Sequence, residues 1–183
     1  MKNYFIISFI LLLISLNNLS AENRDLKLEK LFNELKINNS KFASQTEQKI
    51  WQIWSTHPSN NELTNMLATG SNFVNDNQLF KAVEIFTKVI DKDPSWAEAW
   101  NKRATVLYLM GEFEQSQNDI DKVLELEERH FGALAGQGLV NIQLKNYEKA
   151  IRSYEKAMTI YPSMNSAELM IRKIRDLINK ESI

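Results

Sequence analysis

The 183-residue chain has no cysteine. Its absence excludes disulfides, thiolate metal sites, a cysteine nucleophile and lipid attachment through a cysteine. Five glycines and three prolines are too few for a loop-dominated or disordered chain. The two histidines, His57 and His130, lie at helix boundaries far from each other and form no ligand-spaced pair, so they read as structural or surface residues. A formal net charge of -1 gives no single-sign field that would favour nucleic acid or an anionic membrane as the main partner. No nucleophile–base pair, cleft-facing carboxylate pair or metal spacing is visible. The expectation is a chain that is not an enzyme and uses no cofactor and no metal. Strand signals are weak and helix formers abundant, which points to an all-α fold.

The chain starts with a leader. Lys2 gives a positive start, Tyr4 to Leu16 is almost unbroken apolar sequence, and Leu19-Ser20-Ala21 precedes polar Glu22-Asn23-Arg24. This is the layout of a secretory signal peptide over residues 1–21. The apolar run is short of the ~20 residues that span a bilayer, so no stable membrane span is expected after cleavage. An exported chain without cysteine fits a bacterial periplasm; the runner-up is a membrane-anchored form with the leader retained. Residues 24–56 carry two amphipathic stripes: Leu28, Leu31, Phe32 and Leu35, then Ala43, Ile50, Trp51 and Trp54. Asn38-Asn39-Ser40 is the turn between them. Residues 22–61 are thus read as an N-terminal helical pair that covers one end of the domain beginning at residue 62.

From Leu63 onward the sequence repeats with a step of 34 residues. With Leu63, Ala97 and Phe131 at position one, position eight reads Gly70, Ala104, Gly138 and position 20 reads Ala82, Ser116, Ala150. Position 24 reads Phe86, Ile120, Tyr154, and position 27 reads Val89, Val123, Ala157. Small residues recur where two helices approach closely, and large ones where a helix fills the gap to its neighbour. Such a unit is a helix-turn-helix that stacks into a solenoid. The spacing predicts first helices over 63–75, 97–109 and 131–143, and second helices over 79–91, 113–126 and 147–160. Asp76-Asn77, Gly111 and Asn146 supply the left-handed turns. Residues 165–183 hold a capping helix with Leu169, Ile171, Ile174, Leu177 and Ile178 on its apolar faces.

These residues resemble tetratricopeptide repeats. The resemblance rests on Ala97-Glu98-Ala99-Trp100-Asn101, Gly111-Glu112-Phe113-Glu114 and Leu124-Glu125-Leu126 in the second unit. Asn146-Tyr147-Glu148-Lys149-Ala150-Ile151, Tyr154, Ala157 and Pro162 carry it in the third. It implies three repeats, 63–96, 97–130 and 131–164, within a domain over 62–164. The layout is similar to that of small exported repeat proteins of alphaproteobacteria. Departures occur at position seven, usually leucine, which is Thr69, Arg103 and Gln137, and at Asn141 and Glu128.

The family implies a concave groove lined by the first helices and a protein or peptide partner held in it. Groove positions 2, 5, 9, 12 and 13 are Glu98, Asn101, Thr105, Tyr108 and Leu109 in the second repeat. They are Gly132, Ala135, Leu139, Ile142 and Gln143 in the third, and Thr64, Leu67, Ser71, Val74 and Asn75 in the first. The candidate partner-binding residues are Glu98, Asn101, Thr105, Tyr108, Ala135, Leu139 and Ile142. Asn101 is expected to hydrogen-bond a peptide backbone, and Tyr108 to offer an aromatic anchor with a polar tip. A clamp for a terminal carboxylate would have only Asn101, Lys102 and Arg103, all from one repeat. Asp119, Asp121, Glu125, Glu127 and Glu128 read as a solvated convex face, and Trp96 as partly exposed. The alternative function is a structural subunit of an envelope complex, held through the convex face or terminal helices, with Trp51, Trp54 or Ile171 buried against another chain.

Overall fold

The structure, a computed structural model, describes residues 23–37 and 40–181; the expected leader over residues 1–21 lies outside the described residues. The described residues form helices α1 (23–36), α2 (Ser40–Trp54), α3 (Asn61–Asn75), α4 (Leu79–Lys92), α5 (Ala97–Leu109), α6 (Phe113–Leu126), α7 (Phe131–Gln143), α8 (Tyr147–Ile160) and α9 (Asn165–Glu181). None of them is a strand, and no described helix is long and apolar enough to cross a membrane. The pairs α3/α4, α5/α6 and α7/α8 agree with the expected helices to within two residues at either end. Each second helix also packs on the first helix of the next pair, and α9 packs on α8 as a further first helix would.

The helix ends show why the step is kept. Asn60 caps α3 by accepting from the Glu62 and Leu63 amides at 2.9 and 3.2 Å. The three first helices end alike: Gln78, Glu112 and Asn146 N–H groups reach back six residues, inclusive, to the carbonyls of Phe73, Leu107 and Asn141. The residue just before each of those donors is left-handed: Asn77 (φ 57°), Gly111 (φ 81°) and Lys145 (φ 58°). The third turn therefore corrects the expectation, because Lys145 and not Asn146 takes the strained conformation; Asn146 has φ -88°. A lysine there carries a Cβ penalty that glycine lacks. Lys145→Gly is expected to stabilise the fold by about 1 kcal/mol, read as a higher midpoint in urea.

Position eight and position 24 are shaped to each other. A Cβ added at Gly138 would come 2.5 Å from the Tyr154 ring, and one at Gly70 would meet the Phe86 ring equally closely. In the second repeat the small residue is Ala104 and its partner is the slimmer Ile120, in one apolar cluster. Gly138→Ala gains about 1 kcal/mol of helix propensity but overpacks a buried ring at ~1–3 kcal/mol. A net loss of stability is expected in Gly138→Ala, and Gly138→Ala with Tyr154→Ile, which copies the second repeat, should recover most of it in the same denaturation experiment.

In the second and third repeats position seven is polar because it hydrogen-bonds to neighbouring helices. The Arg103 guanidinium donates to both Asp119 oxygens at 2.8 Å and to Thr87 Oγ1 at 3.0 Å, and lies over the Trp100 ring at 5.0 Å. Asp119 is only 4% exposed, so it does not belong to a solvated acidic face. One repeat later the Ser153 hydroxyl donates to Gln137 Oε1 at 2.9 Å.

The N-terminal pair does not sit over the end of the first repeat, as expected, but along the solenoid edge where the first helices begin. Leu28, Leu31, Phe32, Leu35, Ile50 and Trp54 form one core with Phe131 and Tyr161, residues of the third repeat. Trp54 stacks on His130 at 4.0 Å and 7°. Trp96 is buried, not partly exposed, and its indole N–H donates to the Trp54 carbonyl at 2.8 Å. The Tyr161 hydroxyl donates to Glu47 at 3.1 Å; burial, with the nearby Glu47 charge, pushes that phenol up to about 12. Large aromatic residues on α2 reach into the connections between repeats, and burying them there removes apolar surface from water.

Candidate functional site

Helices α3, α5 and α7 lie side by side, with α5 touching both neighbours, so their shared face runs across all three repeats. Position two meets the N-terminal segment in all three repeats. Thr64 Oγ1 accepts the His57 amide at 2.9 Å. Glu98 is 1% exposed, beneath Trp54 and its neighbours. Gly132 lies under Trp51, whose ring a Cβ there would strike at 2.5 Å. Position five is also a packing position: Leu67 is core, and Asn101 is 8% exposed and donates to Glu98 Oε2 at 3.0 Å. Glu98 and Asn101 are thus not presented to a partner, contrary to expectation, because α2 has covered them.

The buried polar cluster has one consistent protonation pattern. His130 Nδ1 accepts the Ala133 amide at 3.0 Å and so caps α7, which puts the ring proton on Nε2, 3.1 Å from Glu98 Oε2. Lys102 reaches Glu98 Oε1 at 3.3 Å. Burial pushes the Glu98 carboxyl up, but the His130 hydrogen bond and the charge of Lys102 outweigh it, and the net shift is downward. His57 uses the same device: its Nδ1 accepts the Asn60 amide at 2.9 Å and its Nε2 faces Asp93 at 2.7 Å. Neither histidine is a surface residue. A carboxyl whose folded pKa lies below its unfolded value of ~4.3 contributes stability that is full above that pH and lost as pH falls through the folded value. Unfolding midpoints of the native chain should therefore fall more steeply below about pH 4.3 than those of Glu98→Gln, measured by circular dichroism from pH 7 to 3.

The open part of the face comprises positions 9, 12 and 13. Thr105 is exposed, with its hydroxyl turned to the Asn101 carbonyl at 2.9 Å. Tyr108 is half-buried on Phe113, and its hydroxyl accepts from Gln143 at 3.2 Å, which ties α5 to α7 across the face. Leu109 beside it is 54% exposed. Leu139 is half-buried; Ala135 and Ile142 belong to the apolar cluster that α9 closes with Ala167, Ile171 and Ile174. Ser71, Val74, Asn75 and Gln143 complete the surface, which carries no charged side chain at these positions. The three residues of the candidate carboxylate clamp are all engaged elsewhere: Asn101 and Lys102 on Glu98, Arg103 on Asp119. Trp51 and Trp54 pack against their own chain, which removes them as contacts for another.

The tetratricopeptide repeat family matches residues 97–130 and again 131–164, in the register of the 34-residue step. Residues 97–164 are two tetratricopeptide repeats. The chain is similar to a TPR repeat-containing protein of Rhizobium etli, with 28% identity over 152 residues that cover 82% of this chain and 74% of the relative. It is 30% identical to Hsp70-Hsp90 organizing protein 1 of Glycine max over 58% of this chain but only 20% of that protein. Among solved structures, the first repeat domain of Spaghetti (RPAP3), bound to the HSP90 peptide SRMEEVD, superimposes with a TM-score of 0.63 at 20% identity. That match covers 65% of this chain and 94% of that domain. The TPR2B domain of yeast Sti1 in complex with an Hsp70 peptide gives 0.61 at 18% identity, over 64% of this chain and 99% of that one. At these identities the structures establish the fold.

The Leu-x-x-Leu-Phe-x-x-Leu and Ile-Trp-x-x-Trp stripes exposed the two helices before the repeats but not where they dock. The available signals were Gly132, which offers room for Trp51, and a histidine placed just before α7.

Proposed function

We propose that this protein is a non-enzymatic adaptor that holds a segment of a partner protein along the open half of the groove, over Thr105, Tyr108, Leu109, Leu139 and Gln143. The observation that carries this reading is the exposed Leu109 beside the Tyr108–Gln143 pair, on a solenoid face kept free of both α2 and α9. Similar repeat domains bind peptides, as the SRMEEVD and Hsp70 complexes record. The partner segment that suits this surface is uncharged and apolar, with backbone groups for Thr105 and Gln143; the engaged clamp residues argue against capture of a terminal carboxylate. The signal-like leader sequence supports a periplasmic location for the mature protein, with a membrane-anchored form as the alternative. One observation favours a structural subunit as second reading: Phe80 on α4 is 81% exposed, an apolar contact on a second helix.

Crosslinking the tagged protein in its own cells tests the groove. Tyr108→Ala with Leu109→Asp should abolish recovery of the dominant partner while leaving the helical spectrum unchanged. A partner retained by that variant and lost by Phe80→Asp would replace the groove by the second-helix face.

A further inference from the structure

The N-terminal pair carries a cleft that the groove does not use. It has a volume of about 710 Å³ and lies between α1 and α2. Its floor holds buried Leu31 and half-buried Ile53, and its walls carry Arg24, Lys27, Lys30 and Lys49. The register of the two helices makes this so: residues 23, 27, 30, 31 and 34 share one face of α1, and 49, 52 and 53 share one face of α2, with Thr56 in the turn that follows. Arg24 is fixed by donation from Nη1 to the Thr56 carbonyl at 2.8 Å, which sets its guanidinium at one end of the cleft. Lys27, Lys30 and Lys49 have no acidic partner among the described residues, and Glu34 is the one carboxylate in the lining. Several cations elsewhere are matched: Lys102 with Glu98, Arg103 with Asp119, Arg129 with Glu127 and Glu29, Lys92 with Glu62.

We infer that the α1–α2 cleft is a second docking site, for an acidic peptide segment carrying an apolar side chain. Both halves of that ligand are specified by what lines the cleft. Like charges gathered around a low-dielectric floor attract and orient an anionic segment. A buried leucine and isoleucine at the base receive one apolar anchor, and the volume suits a few residues of peptide. The groove is neutral at its open positions and its candidate clamp is engaged, so the acidic part of a partner has its complement here and not there. The site stands whether or not the groove binds its own segment.

Fluorescence anisotropy with labelled SRMEEVD, an acidic peptide with apolar Met and Val, tests this on the chain lacking residues 1–21. Binding is expected at low salt, at least tenfold weaker in Lys27→Glu with Lys30→Glu, weaker as salt is raised, and unchanged in Tyr108→Ala with Leu109→Asp. The peptide with its three acidic residues made amides should not bind. Absence of binding, or binding lost in the groove variant and kept in the cleft variant, overturns the cleft. So does co-sedimentation with phosphatidylglycerol vesicles without peptide binding, or a dimer seen by light scattering that the cleft variant disperses. The two lysines are exposed, so the variant's melting curve should match the parent's.

Discussion

Arg103→Met should cost about 3–5 kcal/mol of folding stability and is expected to be among the most damaging single changes in the repeats. The side chain of Asp119 is almost fully buried and relies on Arg103 for both of its hydrogen-bonded oxygens. Methionine fills the space but leaves the carboxylate without a counter-charge in a site water scarcely reaches. Thr87 loses its donor as well, and the guanidinium no longer covers Trp100. The contrast that decides the cause is the double variant Arg103→Leu with Asp119→Ala. If the loss comes from the orphaned charge, removing both partners should restore much of the stability. If the double variant is as unstable as the single, the contribution of Arg103 is packing against Trp100 and not charge. Urea midpoints with fitted slopes separate the cases.

That pair also marks how far the sequence could be read. The solenoid was legible because its determinants are local: a small residue at position eight, a large one at position 24 and a left-handed turn recur on a fixed step. Those positions interact within one helical hairpin, so their spacing is their geometry. Arg103 was legible only as a departure from leucine, since its partner lies 16 residues away on another helix and nothing in the spacing says that both point inward. The lysine turn at 145 was missed for a related reason. Asn146 is the residue type that suits a left-handed turn, but the register assigns that backbone to the position before it.

The candidate groove was read less completely, and the cause is non-local. Positions two and five point toward the groove in the repeat pattern, and Glu98 and Asn101 are the polar residue types a peptide site would use. Their burial is decided by α2, whose docking depends on contacts between residues about 75 or more positions apart, such as Trp54 on His130 and Trp51 on Phe131. No periodicity records a contact at that separation. Thr105 is exposed and Tyr108 and Leu139 are half-buried, while Ala135 and Ile142 are shared with the capping helix.

Trp54→Ala is the second large effect expected, about 3–5 kcal/mol, and it tests whether the N-terminal pair is part of the folded unit. Trp54 stacks on His130, tilts against Phe32 and Phe131 at 5.9 and 5.2 Å, and meets Trp51 edge-on at 5.3 Å. Alanine leaves a cavity at the junction of α1, α2 and the third repeat, which the surrounding side chains close only in part. It also thins the cover over Glu98 and His130, whose hydrogen bond is strong because water is kept out. Trp54→Phe should be far milder. It keeps most of the ring contact, and the indole N–H it removes is buried without a hydrogen-bond acceptor, so no partner is orphaned. Two readouts divide the outcomes. If the pair and the repeats unfold together, Trp54→Ala lowers a single transition seen alike by far-ultraviolet circular dichroism and by tryptophan fluorescence. If the pair is a separable flap, fluorescence should report an early transition while most of the helical signal persists. In that case position two would open in the alanine variant, and Glu98 would become accessible to solvent and to a partner. Protection of the Ala133 amide against hydrogen exchange obeys the same division: kept until global unfolding in the first case, lost early in the second.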